Sequence, residues 1–301
     1  MSDQGVGRGD GIGVDCPAKI NFALSVGPPD ARRGGLHPIA SWMAAINLSD
    51  RLELTPADAT TFDIHFEDTS RTVDWPLEKD LAFRAHQLME AKAGRALRVH
   101  VSLRKRIPTG AGLGGGSSDA AGVLVGLNRL FKLDIDAPSL CELGGQLGSD
   151  VTFLVGALTG SPSALVTGFG ETLEPLAIAA PVPLVLIFPP FGCPTGGVFG
   201  AFDRLHPDAS LPRESAVRKL AAESPLPQGG PFNDLAAPAC EIEPRLAAAQ
   251  QAARDALQLP VHITGSGSTL YVVAPSALTS KVIARKTESL TGMRALATRT
   301  L

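Results

Sequence analysis

The sequence predicts a two-domain α+β chain, and three observations lead there. Its 301 residues are about twice a common domain length of roughly 150. In the first half, a strictly alternating strand runs into a glycine cluster and then an amphipathic helix. In the second half the elements follow the order β-α-β-β-α-β, the ferredoxin-like pattern.

Met1–Gly13 is Gly-rich and polar, and reads as a loose tail without the apolar run of a signal peptide. From Ala18 to Val26 apolar residues alternate with Lys19, Asn21 and Ser25, which predicts a half-buried strand. On that reading Lys19 and Asn21 share one face, away from the core. A turn-rich segment covers Gly27–Gly35, and strands are expected at Ile39–Leu48 and at Arg51–Leu54. Helical spacing fits Leu81–Ala91. Leu97, Val99, Val101 and Leu103 alternate with polar residues as a strand with one exposed face. Ala120, Val123, Leu124, Leu127, Leu130 and Phe131 recur at three and four residues and mark one apolar helix face. Asp136 is an N-cap, with Pro138 in the first turn of a short helix that ends before Gly148.

Beyond a boundary placed near residue 175, strands are expected at Leu184–Phe188, Val261–Thr264, Leu270–Val273 and Met293–Thr298. Helices are expected at Val198–Leu205, Glu243–Leu257 and Ser276–Leu290. Pro207–Pro231 reads as loop with a little helix.

Composition excludes several classes. Apolar residues make up 44% and charged residues 19%, which describes a soluble globular chain. A net charge of −3 argues against nucleic acid as the partner. No run of about 18 apolar residues exists, so no membrane span is expected and the chain reads as cytoplasmic. Cys16, Cys141, Cys193 and Cys240 lack zinc spacing and read as free thiols.

Pro108–Asp119 holds five glycines in twelve residues. Without Cβ atoms, backbone N–H groups can approach a ligand closely. The cluster opens a helix expected to start near Ser117. Helix N-termini carry unpaired N–H groups and positive dipole, which suit phosphate. Gly110, Gly112 and Gly115 also fit G-x-G-x-x-G. The preceding strand alternates, however, whereas the first strand of a dinucleotide-binding unit is buried on both faces. No second apolar strand follows the helix. No Gly-Lys-Ser/Thr closes the cluster either, which excludes a Walker A loop.

Pro108-Thr-Gly-Ala-Gly-Leu-Gly-Gly-Gly-Ser-Ser-Asp119 resembles the phosphate loop of the GHMP kinases. Five further segments agree in order and spacing with one branch of that family: Pro17-Ala-Lys-Ile-Asn21, Lys105-Arg-Ile-Pro108, Gly148-Ser-Asp-Val-Thr-Phe153, Phe232-Asn-Asp-Leu235 and Thr264-Gly-Ser-Gly-Ser-Thr269. That branch phosphorylates a cytidine diphosphate sugar alcohol in non-mevalonate isoprenoid precursor synthesis. The resemblance implies a ribosomal-protein-S5-like, ATP-binding domain over residues 14–175 and a ferredoxin-like domain over 176–301.

It also implies ATP and Mg²⁺ as cofactors, a small-molecule acceptor, and a monomer or homodimer without nucleic-acid or membrane partners. Asp150 is then the base and Lys19 its electrostatic partner. Lys105, Pro108, Gly110, Gly112, Gly114, Gly115, Gly116, Ser117 and Ser118 bind ATP. Asn21, His37, Asp150, Phe199, Gly265 and Ser266 bind the acceptor. Asp119 either helps hold Mg²⁺ or favours the helix dipole. The sequence departs from the family at Leu36, where an aromatic ring is usual beside the kept His37. That departure bears on base specificity more than on phosphoryl transfer.

Overall fold

The computed structural model describes residues 11–69 and 72–301. Most of the expected N-terminal tail lies outside the described residues, and Ile12 and Gly13 already belong to a strand. In chain order the first elements are β1 (Ile12–Val26), β2 (Ile39–Pro56), β3 (Thr61–Phe66), α1 (Leu81–Ala93), β4 (Val99–Lys105), α2 (Gly115–Leu130), α3 (Ala137–Gly145), α4 (Ser149–Leu158), β5 (Ser163–Gly168) and β6 (Thr172–Pro175). They are followed by β7 (Pro183–Phe188), α5 (Thr195–Leu205), α6 (Glu214–Ala221), β8 (Phe232–Asn233), α7 (Ala236–Ile242), α8 (Pro244–Leu257), β9 (His262–Ile263), β10 (Leu270–Val273), α9 (Ala277–Thr291) and β11 (Arg294–Arg299). No helix among the described residues is long and apolar enough to cross a membrane.

Contacts divide the chain into two compact units. One gathers the described part of Met1–Pro17 with Ser49–Ile107 and Gly115–Gly160; the other gathers Ala18–Leu48, Pro108–Gly114 and Ser161–Leu301. β1 and β2 each pass from one unit into the other along the chain.

In the first unit the end of β2 pairs antiparallel with β4, Arg51 opposite Arg104, and β3 lies parallel to β4. Asp80 and Asp136 cap α1 and α3 by accepting N–H bonds from Ala82 and Ser139. α2 differs from its expected form. It is buried without a break from Ser118 to Leu127, not along one face. Gly122 and Gly126 make this possible. A Cβ at Gly122 would lie 2.3 Å from Cys16 Sγ, and one at Gly126 would lie 2.5 Å from Leu54 Cδ1. Glycine inside a helix costs up to about 1 kcal/mol against alanine. Here that cost admits the strand side chains against the helix axis.

In the second unit β5 pairs antiparallel with the start of β2, and β6 with β5. β8 lies parallel to β1 at Ala23 and Leu24. β7, β9, β10 and β11 form one antiparallel sheet in the order β11-β7-β10-β9. Counted along the chain this is 4-1-3-2, the ferredoxin-like arrangement that the pattern predicts. Val185, Ile187, Leu270 and Val272 from this sheet share a core with Leu246 and Leu257 of α8 and Ile283 of α9.

Two expectations are corrected. The stretch Ala18–Val26 is not half-exposed: Lys19 and Asn21 are buried with the rest of it, and their side chains are hydrogen-bonded inside the protein. β2 is one strand of 18 residues where two were expected. The apparent break at Ser49-Asp50 is a wholly buried aspartate within the strand.

Gly122→Ala is expected to destabilise the fold by about 1–3 kcal/mol through overpacking against Cys16. Cys16→Ala should relieve much of that loss, so that urea unfolding of the double variant shows a less-than-additive cost.

Candidate active site

The glycine loop leaves β4 at Lys105 and feeds α2 at Gly115. Its first part lies backbone to backbone on the Thr264–Thr269 turn. Gly112 has φ +74°, and a Cβ there would sit 2.6 Å from the Thr264 carbonyl oxygen and 2.8 Å from that of Gly267. The Ala111 carbonyl accepts the Thr269 N–H (3.2 Å), and the Leu113 carbonyl accepts the Lys19 N–H (2.9 Å). In a trans peptide the C=O and the following N–H point in opposite directions. The N–H groups of Gly112 and Gly114 therefore point away from these protein partners. Two carbonyls of the loop thus turn inward and the two N–H groups that follow them turn outward, the orientation an anion cradle needs.

Lys19 is held from the same side. Its Nζ donates to Asn21 Oδ1 at 2.9 Å. Asn21 Nδ2 donates to Ser41 Oγ (2.8 Å), which donates on to the Ala23 carbonyl (2.7 Å). The Asn21 N–H donates to Thr264 Oγ1, and its carbonyl accepts from Tyr271 Oη. Asn21 thus fixes Lys19 and the Thr264 turn together. In this arrangement the carboxamide expected to meet an acceptor molecule serves the protein. Gly265 takes φ +56° in that turn, and Ser266 Oγ lies 3.0 Å from Thr195 Oγ1.

His37 and Phe199 are also brought together. Their ring centroids are 5.0 Å apart, and Phe202 meets His37 edge-on. His37 Nδ1 faces the Gly27 carbonyl at 2.9 Å, which assigns the proton to Nδ1 and leaves Nε2 as the acceptor in the neutral ring. Nε2 is 3.5 Å from Asp203 Oδ1. Leu36 is 59% exposed and adds no ring to this group.

In the other unit, Lys105 is buried at the end of β4, with its ammonium on both Asp50 and Asp119. Burial works against its charge, but Asp119 and Asp50 outweigh it and hold the lysine above its ordinary pKa. One ammonium cannot neutralise two carboxylates. Burial first, and the Asp50 charge against the relief from Lys105, raise the Asp119 carboxyl well above the usual range. Asp50 Oδ1 accepts the N–H groups of both Arg106 and Ile107, which fixes the start of the glycine loop.

Ser118 Oγ donates to the Pro17 carbonyl (2.7 Å) and is spent there, while Ser117 is half-buried at the helix start. Gly116 is exposed, and a Cβ there would meet nothing closer than Leu81 Cδ1 at 3.9 Å. Asp150 occupies the first turn of α4.

Among the described residues no group of three or more His, Cys, Asp or Glu is placed to hold a metal ion. Asp119 Oδ1 is buried and, among the described residues, has no hydrogen-bond partner. A single hard oxygen of this kind fits Mg²⁺, which is commonly bound by one or two carboxylates together with substrate phosphates.

Three residues were missed by sequence reasoning. Asp50 was hidden because a buried charge in a strand looks like a turn; aspartate is depleted in strands, and that was the available signal. Ser41 gave none. Tyr271 is the only tyrosine of the chain, and burial raises its hydroxyl pKa far above the ordinary value.

Residues 80–157 match the model of the GHMP kinases N terminal domain. The chain is similar to the 4-diphosphocytidyl-2-C-methyl-D-erythritol kinase of Kineococcus radiotolerans, at 34% identity over 94% of this chain and 87% of that one. It is similar to the enzyme of the same name from Mycolicibacterium smegmatis, at 37% identity over 89% of this chain and 84% of that one. A crystal structure of 4-(cytidine 5'-diphospho)-2C-methyl-D-erythritol kinase superposes with a TM-score of 0.74 at 33% identity, covering 96% of this chain and all of that one. The two-domain α+β fold of the GHMP kinases is therefore that of this chain.

Asp50→Ala is expected to lower stability by about 1–3 kcal/mol for each of the two N–H groups, of Arg106 and Ile107, that it leaves without an acceptor, while Asp119 still pairs with Lys105. Asp119→Ala leaves Asp50 to hold Lys105 and should cost less. Urea denaturation of the two variants side by side measures the difference.

Proposed function

The chain belongs to the 4-diphosphocytidyl-2-C-methyl-D-erythritol kinases of the GHMP superfamily, and from that membership we propose how its residues work. It is an ATP-dependent small-molecule kinase, and its reaction moves the γ-phosphoryl group of ATP onto the 2-hydroxyl of 4-diphosphocytidyl-2-C-methyl-D-erythritol. The observation that carries the reading is the inward turn of the Ala111 and Leu113 carbonyls, the latter on Lys19 itself. It sets two outward N–H groups and a buried lysine on one continuous backbone network.

Phosphoryl transfer asks for positioning and charge neutralisation more than for covalent chemistry. In this proposal the N–H groups of Gly110–Gly116, the start of α2 and Ser117 receive the ATP phosphates, with Pro108 shaping the loop. Lys105 acts by holding Asp50, which fixes Arg106 and Ile107, the residues that lead into the loop. Asp150 accepts the proton of the attacking hydroxyl, and Lys19 stabilises the charge that develops. His37 Nε2 reads the base edge, Phe199 stacks on the ring, and the Gly265–Ser266 backbone meets the acceptor's diphosphate. Asp119 would hold Mg²⁺ through the oxygen that Lys105 leaves open. When bound, that ion neutralises phosphate charge. The functional domains are proposed as residues 14–175 and 176–301, and the enzyme as cytoplasmic.

A coupled ADP-release assay tests the assignment. The cytidyl substrate should support turnover, whereas mevalonate and homoserine should not; turnover with either of those alone would sink it. Asp150→Asn should lower kcat about 10²–10⁴-fold. Calorimetric affinity for the acceptor should stay near wild type, because Asn keeps the shape but cannot take the proton. Near-normal single-turnover rates in this variant would remove Asp150 as base.

A further inference from the structure

The Phe232-Asn-Asp-Leu235 segment has no part in the mechanism above, yet it reaches into the acceptor turn. Its backbone is anchored first. β8 pairs with β1, and the Asp234 N–H donates to the Leu24 carbonyl at 2.9 Å. The Asp234 carboxylate accepts from Ser25 Oγ (2.8 Å) and the Val26 N–H (3.1 Å), and pairs with Arg213.

From this anchored position the Asn233 side chain makes three bonds. Nδ2 donates to the Ile263 carbonyl at 2.9 Å and to the Gly265 carbonyl at 2.8 Å, while Oδ1 accepts the Leu235 N–H at 2.9 Å. Only a carboxamide combines two donors with an acceptor at this size. The Gly265 carbonyl belongs to the same peptide as the Ser266 N–H, and the two point in opposite directions. Holding the carbonyl toward Asn233 therefore aims the Ser266 N–H away from it. Gly265 lies at φ +56° and has no Cβ, so nothing intrinsic to this residue prevents its peptide from rotating.

We propose that Asn233 is a positioning residue that locks the Gly265–Ser266 peptide with its N–H facing the ligand, and so sets affinity for the acceptor's diphosphate group. The inference rests on the proposed role of this turn in acceptor binding and extends it to a residue outside the turn.

The test compares cytidine 5'-diphosphate with cytidine by calorimetry, in wild type, Asn233→Asp and Asn233→Ala. Asp keeps the size of Asn but opposes two carbonyl oxygens with a carboxylate. Ala deletes the three bonds without adding charge, and Asp234 keeps β8 in place. Both variants should lose about tenfold or more in diphosphate affinity, the order expected for losing an aligned hydrogen bond to a charged group. Affinity for cytidine should stay within about twofold of wild type, and KM should rise for the acceptor and not for ATP. An unchanged ratio of the two affinities, in a variant that remains folded by circular dichroism, would overturn the inference alone. An equal loss for both ligands and for ATP, tracking a lowered Tm, would reduce Asn233 to a structural residue and overturn it too. Wild type that binds no diphosphate would overturn the acceptor assignment, and this inference with it.

Discussion

At Gly112 two stretches of backbone meet with no side chain between them. The carbonyl oxygens of Thr264 and Gly267 stand where any Cβ would have to go. This contact fixes how far the glycine loop lies from the Thr264 turn. The neighbouring Ala111 and Leu113 carbonyls are bonded at the same depth, to Thr269 and to Lys19. Move the loop outward by the width of a methyl group and each of these bonds lengthens past use. The orientation of the outward N–H groups and the backbone position of Lys19 are thus one constraint, imposed by the absence of a single carbon atom.

Around that constraint the chain accepts costs that an ordinary core would avoid. Lys105, Asp50 and Asp119 are all removed from water, and an apolar replacement of such a group is often as stable or more so. What the charges provide here is direction. Asp50 ties the lysine and two successive N–H groups to one carboxylate, so the strand ends and the loop begins at a fixed point. The same logic holds at Asn21, whose side chain binds Lys19 on one side and Ser41 on the other. A lysine already ordered in the folded chain has less side-chain entropy to lose when a ligand arrives.

Local chemistry made much of the fold legible. Asp136 with Pro138 marked α3, and the alternation from Leu97 marked β4, because capping and pleating depend on a few adjacent residues. The ferredoxin-like order was readable because each of its elements carries its own apolar pattern. What escaped depended on partners far along the sequence. The burial of Lys19 is set by Thr264 and Ser41 around Asn21, and no periodicity within β1 contains that information. The helix α4 was missed because Asp150 sits in its first turn, behind a glycine that reads as loop. The candidate site was legible as motifs, while the roles of Asp50 and Asn233 emerge only when hydrogen bonds are traced between segments.

The bond from the Asn21 N–H to Thr264 Oγ1 closes a separation of 243 residues. During synthesis, β1 leaves the ribosome early and must wait, with a lysine and an asparagine that the finished protein buries, until residue 264 has followed. Non-local closure of this kind slows folding relative to helical neighbours whose contacts are short in sequence. The nascent chain therefore carries an apolar strand, its two polar side chains still hydrated and without the Thr264 turn that later covers them, for most of its elongation. Such a strand is a natural client for a chaperone that binds extended segments.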